Sequence, residues 1–240
     1  MASPIEQFQI TKILDIRVGT VDASFTNSSL FMVLAVVGIT LFLILGVKER
    51  SLVPGRWQSL VELAYDFVGN MIRSNVGREG LKYFPFIFSL FLFVLFGNLL
   101  GLLPYSFTFT SHVAVTFALA LTVFIGTTVL GFAKHGLHFF HFFLPKGTPL
   151  AIAPLLVSIE VLSYFTRPVS LSLRLFANMT AGHTLLKVFA GFVVVMGAAG
   201  VVPLVFVIAL TGLELLVAFL QAFVFAVLTC IYLNDALHMH

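Results

Sequence analysis

Charge is scarce in this sequence: Asp, Glu, Lys and Arg make up 10% of its 240 residues, where a soluble domain carries ~25%. So few charges cannot clothe the surface of a water-soluble fold. Cysteine is nearly absent. Cys230 stands alone in an apolar run, which excludes an internal disulfide framework and a cysteine-built metal centre. The chain also lacks a Gly-rich phosphate loop, a zinc-type His-Glu-x-x-His and a Ser-His-Asp set in a suitable context. No basic patch or tail addresses nucleic acid, because the net charge of +3 is spread over short loops. The start, Met1 to Ile10, has neither the basic stretch nor the short apolar core of a cleaved signal peptide. The first apolar run is therefore expected to stay in the membrane.

What fills the chain instead is hydrocarbon. Apolar residues make up 60% of it, and the mean hydropathy is +1.09. Those values predict an all-α polytopic membrane protein in a single membrane domain, with no room for a separate soluble catalytic module.

Residues 1–27 are polar to amphipathic, and Phe8, Ile10, Ile13, Leu14 and Ile16 predict a short helix on the membrane interface. A first spanning helix is expected over 28–47, close to the ~20 residues that a ~30 Å hydrocarbon core requires. Residues 51–82 are different. Arg56, Glu62, Asp66, Arg73 and Arg78 alternate with Leu60, Leu63, Phe67, Met71 and Ile72 at helical spacing, predicting an amphipathic helix along the surface. Trp57 and Tyr65 suit the headgroup level.

A spanning hairpin follows over 84–133. Asn98 in its first arm reads either as an interhelical hydrogen bond or as the lining of a polar cavity. The loop over 134–148 holds His135, His138 and His141 beside phenylalanines. Without a carboxylate or cysteine they read as interfacial residues rather than metal ligands.

From Pro149 to Met196 the sequence is apolar almost without a break, and as one helix it would be ~70 Å long. Either it turns back as a hairpin between Arg167 and Gly182, or it crosses the membrane steeply tilted. The segment 203–233 is also too long to stand upright, at ~46 Å. Loop charge orients the chain. Six Lys or Arg residues lie from Lys48 to Lys82, and Lys134 and Lys146 flank the later loop, whereas 105–111 and 197–202 have none. The positive-inside rule puts the basic loops on the cytoplasmic side, the N-terminus outside and the C-terminus inside.

The last third carries an unusual polar set. An arginine at bilayer depth costs about 2.5–3.5 kcal/mol on insertion scales and cannot escape by losing its proton. Arg174, between Leu173 and Leu175, therefore marks a functional centre. Glu160, Arg167 and Arg174 are seven apart, so in a continuous helix they drift only ~20° per step. Asn178 stays on that face. His183, nine residues beyond Arg174, points the opposite way. Glu214 and Gln221 share a face of the last helix. One bland reading has Arg174 pair with Glu214 merely to fasten two helices. A proton-coupled transporter is another reading, but it would show two related halves, and no internal repeat is visible. Titratable and hydrogen-bonding groups at several depths read better as a water-accessible proton path.

The stretch P-V-S-L-S-L-R-L-F-A-N-M-T-A-G-H over 168–183 resembles subunit a of F-type ATP synthases. The resemblance extends to P-L-L-V-S-I-E-V-L-S-Y-F-T-R before it, to L-E-L-L-V-A-F-L-Q-A-F-V-F-A-V-L-T-C-I-Y-L near the C-terminus, and to G-N-L-L-G-L-L-P earlier, covering about 55–235. It implies a proton-conducting stator subunit that binds no nucleotide, cofactor or metal and whose partners are a ring of c subunits, b-type stalk subunits and lipid. It implies two long tilted helices rather than a hairpin. By the resemblance Arg174 faces the ring carboxylate, favours its deprotonated form and separates two offset half-channels. Asn178 and Gln221 match positions near that arginine. His183 and Glu214 match the pair at the outer half-channel, and Glu160 matches the acid at the cytoplasmic exit. Histidine at 183 with glutamate at 214 is the arrangement of mitochondria and related bacteria, which implies a bacterial inner membrane or, alternatively, a mitochondrial one. Gly101 stands where some relatives have an acid, and no role is assigned to it.

Overall fold

A computed structural model describes residues 8–15, 17–18, 21–22, 24–48, 53–103, 106–143 and 152–238. Among the described residues six α-helices dominate: α1 (Asn27–Lys48), α2 (Arg56–Asn75), α3 (Phe84–Gly101), α4 (Val113–His135), α5 (Ala153–Val195) and α6 (Val201–Leu237). All but α2 belong to segments long and apolar enough to cross a membrane.

The N-terminal segment departs from the expected helix. Its described residues form short antiparallel pairs, β1 (Lys12–Leu14) with β4 (Phe25–Thr26) and β2 (Arg17–Val18) with β3 (Val21–Asp22). Asn27 supplies a physical reason. Its side-chain oxygen accepts from Thr11 N (3.2 Å), its amide donates to Gln9 O (3.0 Å), and its backbone N–H donates to Thr11 O (3.1 Å). These bonds tie 9–11 in extended form to the start of α1, an outcome that helical periodicity in 8–16 cannot register. Ile16 lies outside the described residues.

α2 is amphipathic, as its pattern requires. Val61, Val68, Gly69, Met71 and Ile72 are buried while Trp57, Leu60, Leu63 and Tyr65 stay exposed. It packs on α1, α3 and α6. Gly46 of α1 permits the approach, since a methyl there would come within 2.9 Å of Val61 Cβ. The helix stops at Gly77, whose φ of 84° only glycine adopts cheaply and whose N–H reaches back to Ile72 O.

α5 is one unbroken helix of 43 residues, not a hairpin, and α6 has 37. At 1.5 Å per residue they are ~64 and ~56 Å long, twice the hydrocarbon core, so crossing it demands strong tilt. Pro168 lies inside α5 without ending it. Pro168 is buried on the same stripe as Tyr164, Leu171, Leu175, Met179 and His183, which run at three- and four-residue spacing and turn one face inward. α6 is the hub, packed on α2, α3, α4 and α5. Its small buried residues Ala218, Ala222, Ala226 and Cys230 let those helices come close. Hydroxyl pairs join α4 to α5: Thr116 with Ser172 (3.1 Å) and Thr128 with Tyr164 (2.6 Å).

Candidate functional site

The polar set divides between two environments. Arg174 and Asn178 lie on an exposed face of α5, and Ser170, Ala177 and Ala181 around them are exposed too. Among the described residues no carboxylate forms an ion pair with Arg174. An unneutralised guanidinium on an apolar face is a strong field source awaiting a counter-charge from outside the chain.

His183 and Glu214 are the buried half of the set, 7% and 4% exposed. Glu214 Oε1 is paired with His183 Nδ1. Glycine makes the pair possible: a methyl at Gly182 would lie 2.9 Å from Glu214 Oε1 and 3.2 Å from its Cδ. Glu214 Oε2 is buried and has no hydrogen-bond partner among the described residues. On the far side of the ring, His183 Nε2 is 2.9 Å from Gly101 O and 2.9 Å from Thr108 Oγ1. Residues from α3, the α3–α4 connection, α5 and α6 thus converge on one imidazole.

These distances replace the bland reading of the sequence. Glu214 is bound to His183, not to Arg174. The cation that does fasten α5 to α6 is Arg167, whose Nη1 is 2.9 Å from Asp235 Oδ2 and whose guanidinium lies over the rings of Tyr164 (5.3 Å) and Tyr232 (5.1 Å). Glu160 is half-buried, further along α5. Gln221 is buried on α6 two turns beyond Glu214, as their seven-residue spacing requires.

Asn98 answers its two readings in parts. Its amide donates to Ala218 O of α6 (3.2 Å), while its oxygen is buried without a partner among the described residues. Gly101, given no role from sequence, contributes its backbone carbonyl. Thr108 carries no signal in the sequence; Asp235, a charge in the last turns of an apolar helix, does, though not that Arg167 is its partner. Among the loop histidines, His135 and His138 belong to no group of three metal-binding side chains among the described residues. The side chain of His141, and Lys146, lie outside those residues.

The family described as ATP synthase A chain matches residues 29–234. The chain is 60% identical over 247 residues to ATP synthase subunit a of Paramagnetospirillum magneticum and 58% identical over 241 residues to that of Rhodospirillum rubrum, each alignment covering 100% of both chains. It is 60% identical to that of Mesorhizobium japonicum, over 98% of this chain and 96% of the relative.

Proposed function

Because the chain belongs to the ATP synthase A chain family, we propose that it offers protons two offset half-channels and that Arg174 keeps them apart. It is the membrane-embedded, proton-translocating stator subunit of an F-type ATP synthase, without nucleotide chemistry of its own. In this reading its partners are a c-subunit ring and b-type stalk subunits. Its site is a bacterial inner membrane, with the N-terminus outside and the C-terminus cytoplasmic.

One observation carries the proposal: on α5 the exposed Arg174, without an ion-paired carboxylate among the described residues, and the buried His183, paired with Glu214 of α6, lie on different faces. Nine residues separate Arg174 from His183, ~13.5 Å along the axis. A ring carboxylate arriving at Arg174 exchanges protons through groups offset from it, so the two sides of the membrane never connect in one straight path. The small residues Ser170, Ala177 and Ala181 beside Arg174 leave room for another helix to approach the backbone. A proton passing that arginine meets a fixed positive charge in a low-dielectric setting, which opposes short-circuiting. On the outer side His183 and Glu214 exchange protons. Asn178 and Gln221 line the neighbourhood of the arginine, and Glu160 serves the cytoplasmic side.

Vesicles holding the assembled complex, wild type against Arg174→Ala, test this. ATP-driven pumping and synthesis should vanish while passive proton flow down an imposed gradient persists or rises. Survival of both modes at wild-type rates in an assembled complex would remove Arg174 from the mechanism.

A further inference from the structure

The orientation of the His183 ring carries a consequence for where its protons move. Two oxygens meet Nε2: the carbonyl of Gly101 and the hydroxyl of Thr108, both at 2.9 Å. A backbone carbonyl only accepts. A bare Nε2 lone pair aimed at it would set acceptor against acceptor in a buried site, so Nε2 carries hydrogen. The hydroxyl of Thr108 then donates to the same Gly101 carbonyl, at 3.3 Å. Gly101 O also accepts from Ser106 Oγ, at 3.0 Å. The absence of a side chain at Gly101 is a condition of this arrangement, because a methyl there would lie 2.6 Å from Thr108 Oγ1. Nδ1, the other ring nitrogen, faces the carboxyl of Glu214.

We propose that the Gly101 carbonyl and the Thr108 hydroxyl are a positioning clamp that keeps a proton on His183 Nε2, confining proton exchange to the Nδ1–Glu214 edge of the ring. The inference rests on the half-channel reading and adds to it the atoms that exchange. When the carboxylic acid of Glu214 gives its proton to Nδ1, the O–H bond breaks, the N–H bond forms, and a neutral pair becomes imidazolium and carboxylate. The reverse step restores it. Nε2–H is a spectator in both directions, so the ring does not pass protons through from the α3 side to the α6 side. Glu214 Oε2, buried and without a hydrogen-bond partner among the described residues, is the atom left to meet water or the next carrier. In general, the hydrogen bond made at one nitrogen of an imidazole sets which of the two carries hydrogen.

The test uses the assembled complex with 15N-labelled histidine, the His183 resonances being identified by their loss in His183→Gln. Nitrogen shifts distinguish a protonated from a bare ring nitrogen. Nε2 should be protonated whether the ring is neutral or cationic, and Nδ1 alone should change. Thr108→Val, which keeps shape and removes the hydroxyl, leaves the Gly101 carbonyl facing the ring, so Nε2 should stay protonated while ATP-driven proton pumping falls about tenfold with assembly intact, the scale of one lost hydrogen bond. Thr108→Ser, which keeps the hydroxyl, should pump at close to the wild-type rate. A bare Nε2 in the neutral wild-type ring overturns the clamp. So does a Thr108→Val complex in which Nε2 loses its proton, or one that pumps at the wild-type rate. If Thr108→Val fails to assemble, the wild-type nitrogen shifts alone decide. The Arg174→Ala measurement stands apart: its expected outcome with a bare Nε2 sinks the clamp and leaves the half-channels.

Discussion

At the scale of single residues, space decides the chemistry as much as charge does. Glu214 can bury its carboxyl because Gly182 opposes it, and Gly182→Ala places a methyl 2.9 Å from Glu214 Oε1. The carboxyl must then turn away from His183 Nδ1. Proton-driven ATP synthesis in vesicles is expected to fall at least severalfold in Gly182→Ala and further in Gly182→Val. Shortening the acid by one methylene, in Gly182→Ala with Glu214→Asp, should recover part of the loss. Wild-type rates in Gly182→Val would mean that the pair's geometry does not matter. Burial gives the reason for such sensitivity: an unpaired carboxylate at 4% exposure pays its desolvation without compensation.

Helices bring the next set of consequences. α5 and α6 are joined by a tight turn at Gly197–Gly200 and cross-linked at two levels, His183–Glu214 nearer the turn and Arg167–Asp235 at the far end. The Arg167–Asp235 bond holds the register of two helices too long to rely on the turn alone. Removing one partner of a charge-assisted bond whose side chains are only 22% and 27% exposed costs about 1.5–3 kcal/mol. Arg167→Ala and Asp235→Ala should each lower the thermal transition of the complex in detergent. The double variant should lose less than the sum of the two, because the second change removes a group already stranded. Strict additivity would show that the contact contributes nothing. Pro168 reinforces the same end of α5: it costs one backbone hydrogen bond, yet its ring packs on the buried stripe beside Arg167.

For the molecule as a whole, the main apolar core runs through α2, α3, α4, α5 and α6, with α6 in the middle, and a smaller cluster of Ala35, Phe107 and Phe109 lies on the α1 side. The outward faces of α5 and α6 remain apolar and exposed, among them Leu155, Leu162, Leu173, Val205, Leu213 and Leu220. In the proposed assembly lipid and neighbouring subunits cover them. At the end where α4 finishes, Lys134 meets Glu79 (3.1 Å) beside the start of α3. That end is the cytoplasmic one in the proposed orientation. With Cys230, which is fully buried, replaced by Ala, a cysteine at His238 should be labelled by an impermeant thiol reagent only from the cytoplasmic face. A cysteine at Ser106 should be labelled only from the outer face. The reverse pattern would invert the topology and exchange the two half-channels.

Much of this could be read in the chain itself. Uninterrupted apolar runs of 20 or more residues dictate spanning helices, because no other element satisfies its backbone in hydrocarbon. Seven-residue spacing placed Glu214 and Gln221 on one face, and nine-residue spacing turned His183 away from Arg174. Those are properties of one helix, so the sequence of that helix suffices. The partnerships belong to another class. Whether 149–196 turned back or ran on was open from residue pattern alone, since Pro168 permits either, and packing on α4 and α6 carried the helix through. Nothing along the chain announces that Glu214 meets His183 and Arg167 meets Asp235. Nor does it announce that a carbonyl at Gly101 and a hydroxyl at Thr108 hold the histidine's other nitrogen. Such contacts join residues 31 to 82 positions apart, and distance in space between helices is fixed only when several faces pack at once. The sequence determined which groups are buried in the membrane; the tertiary structure decided which of them touch.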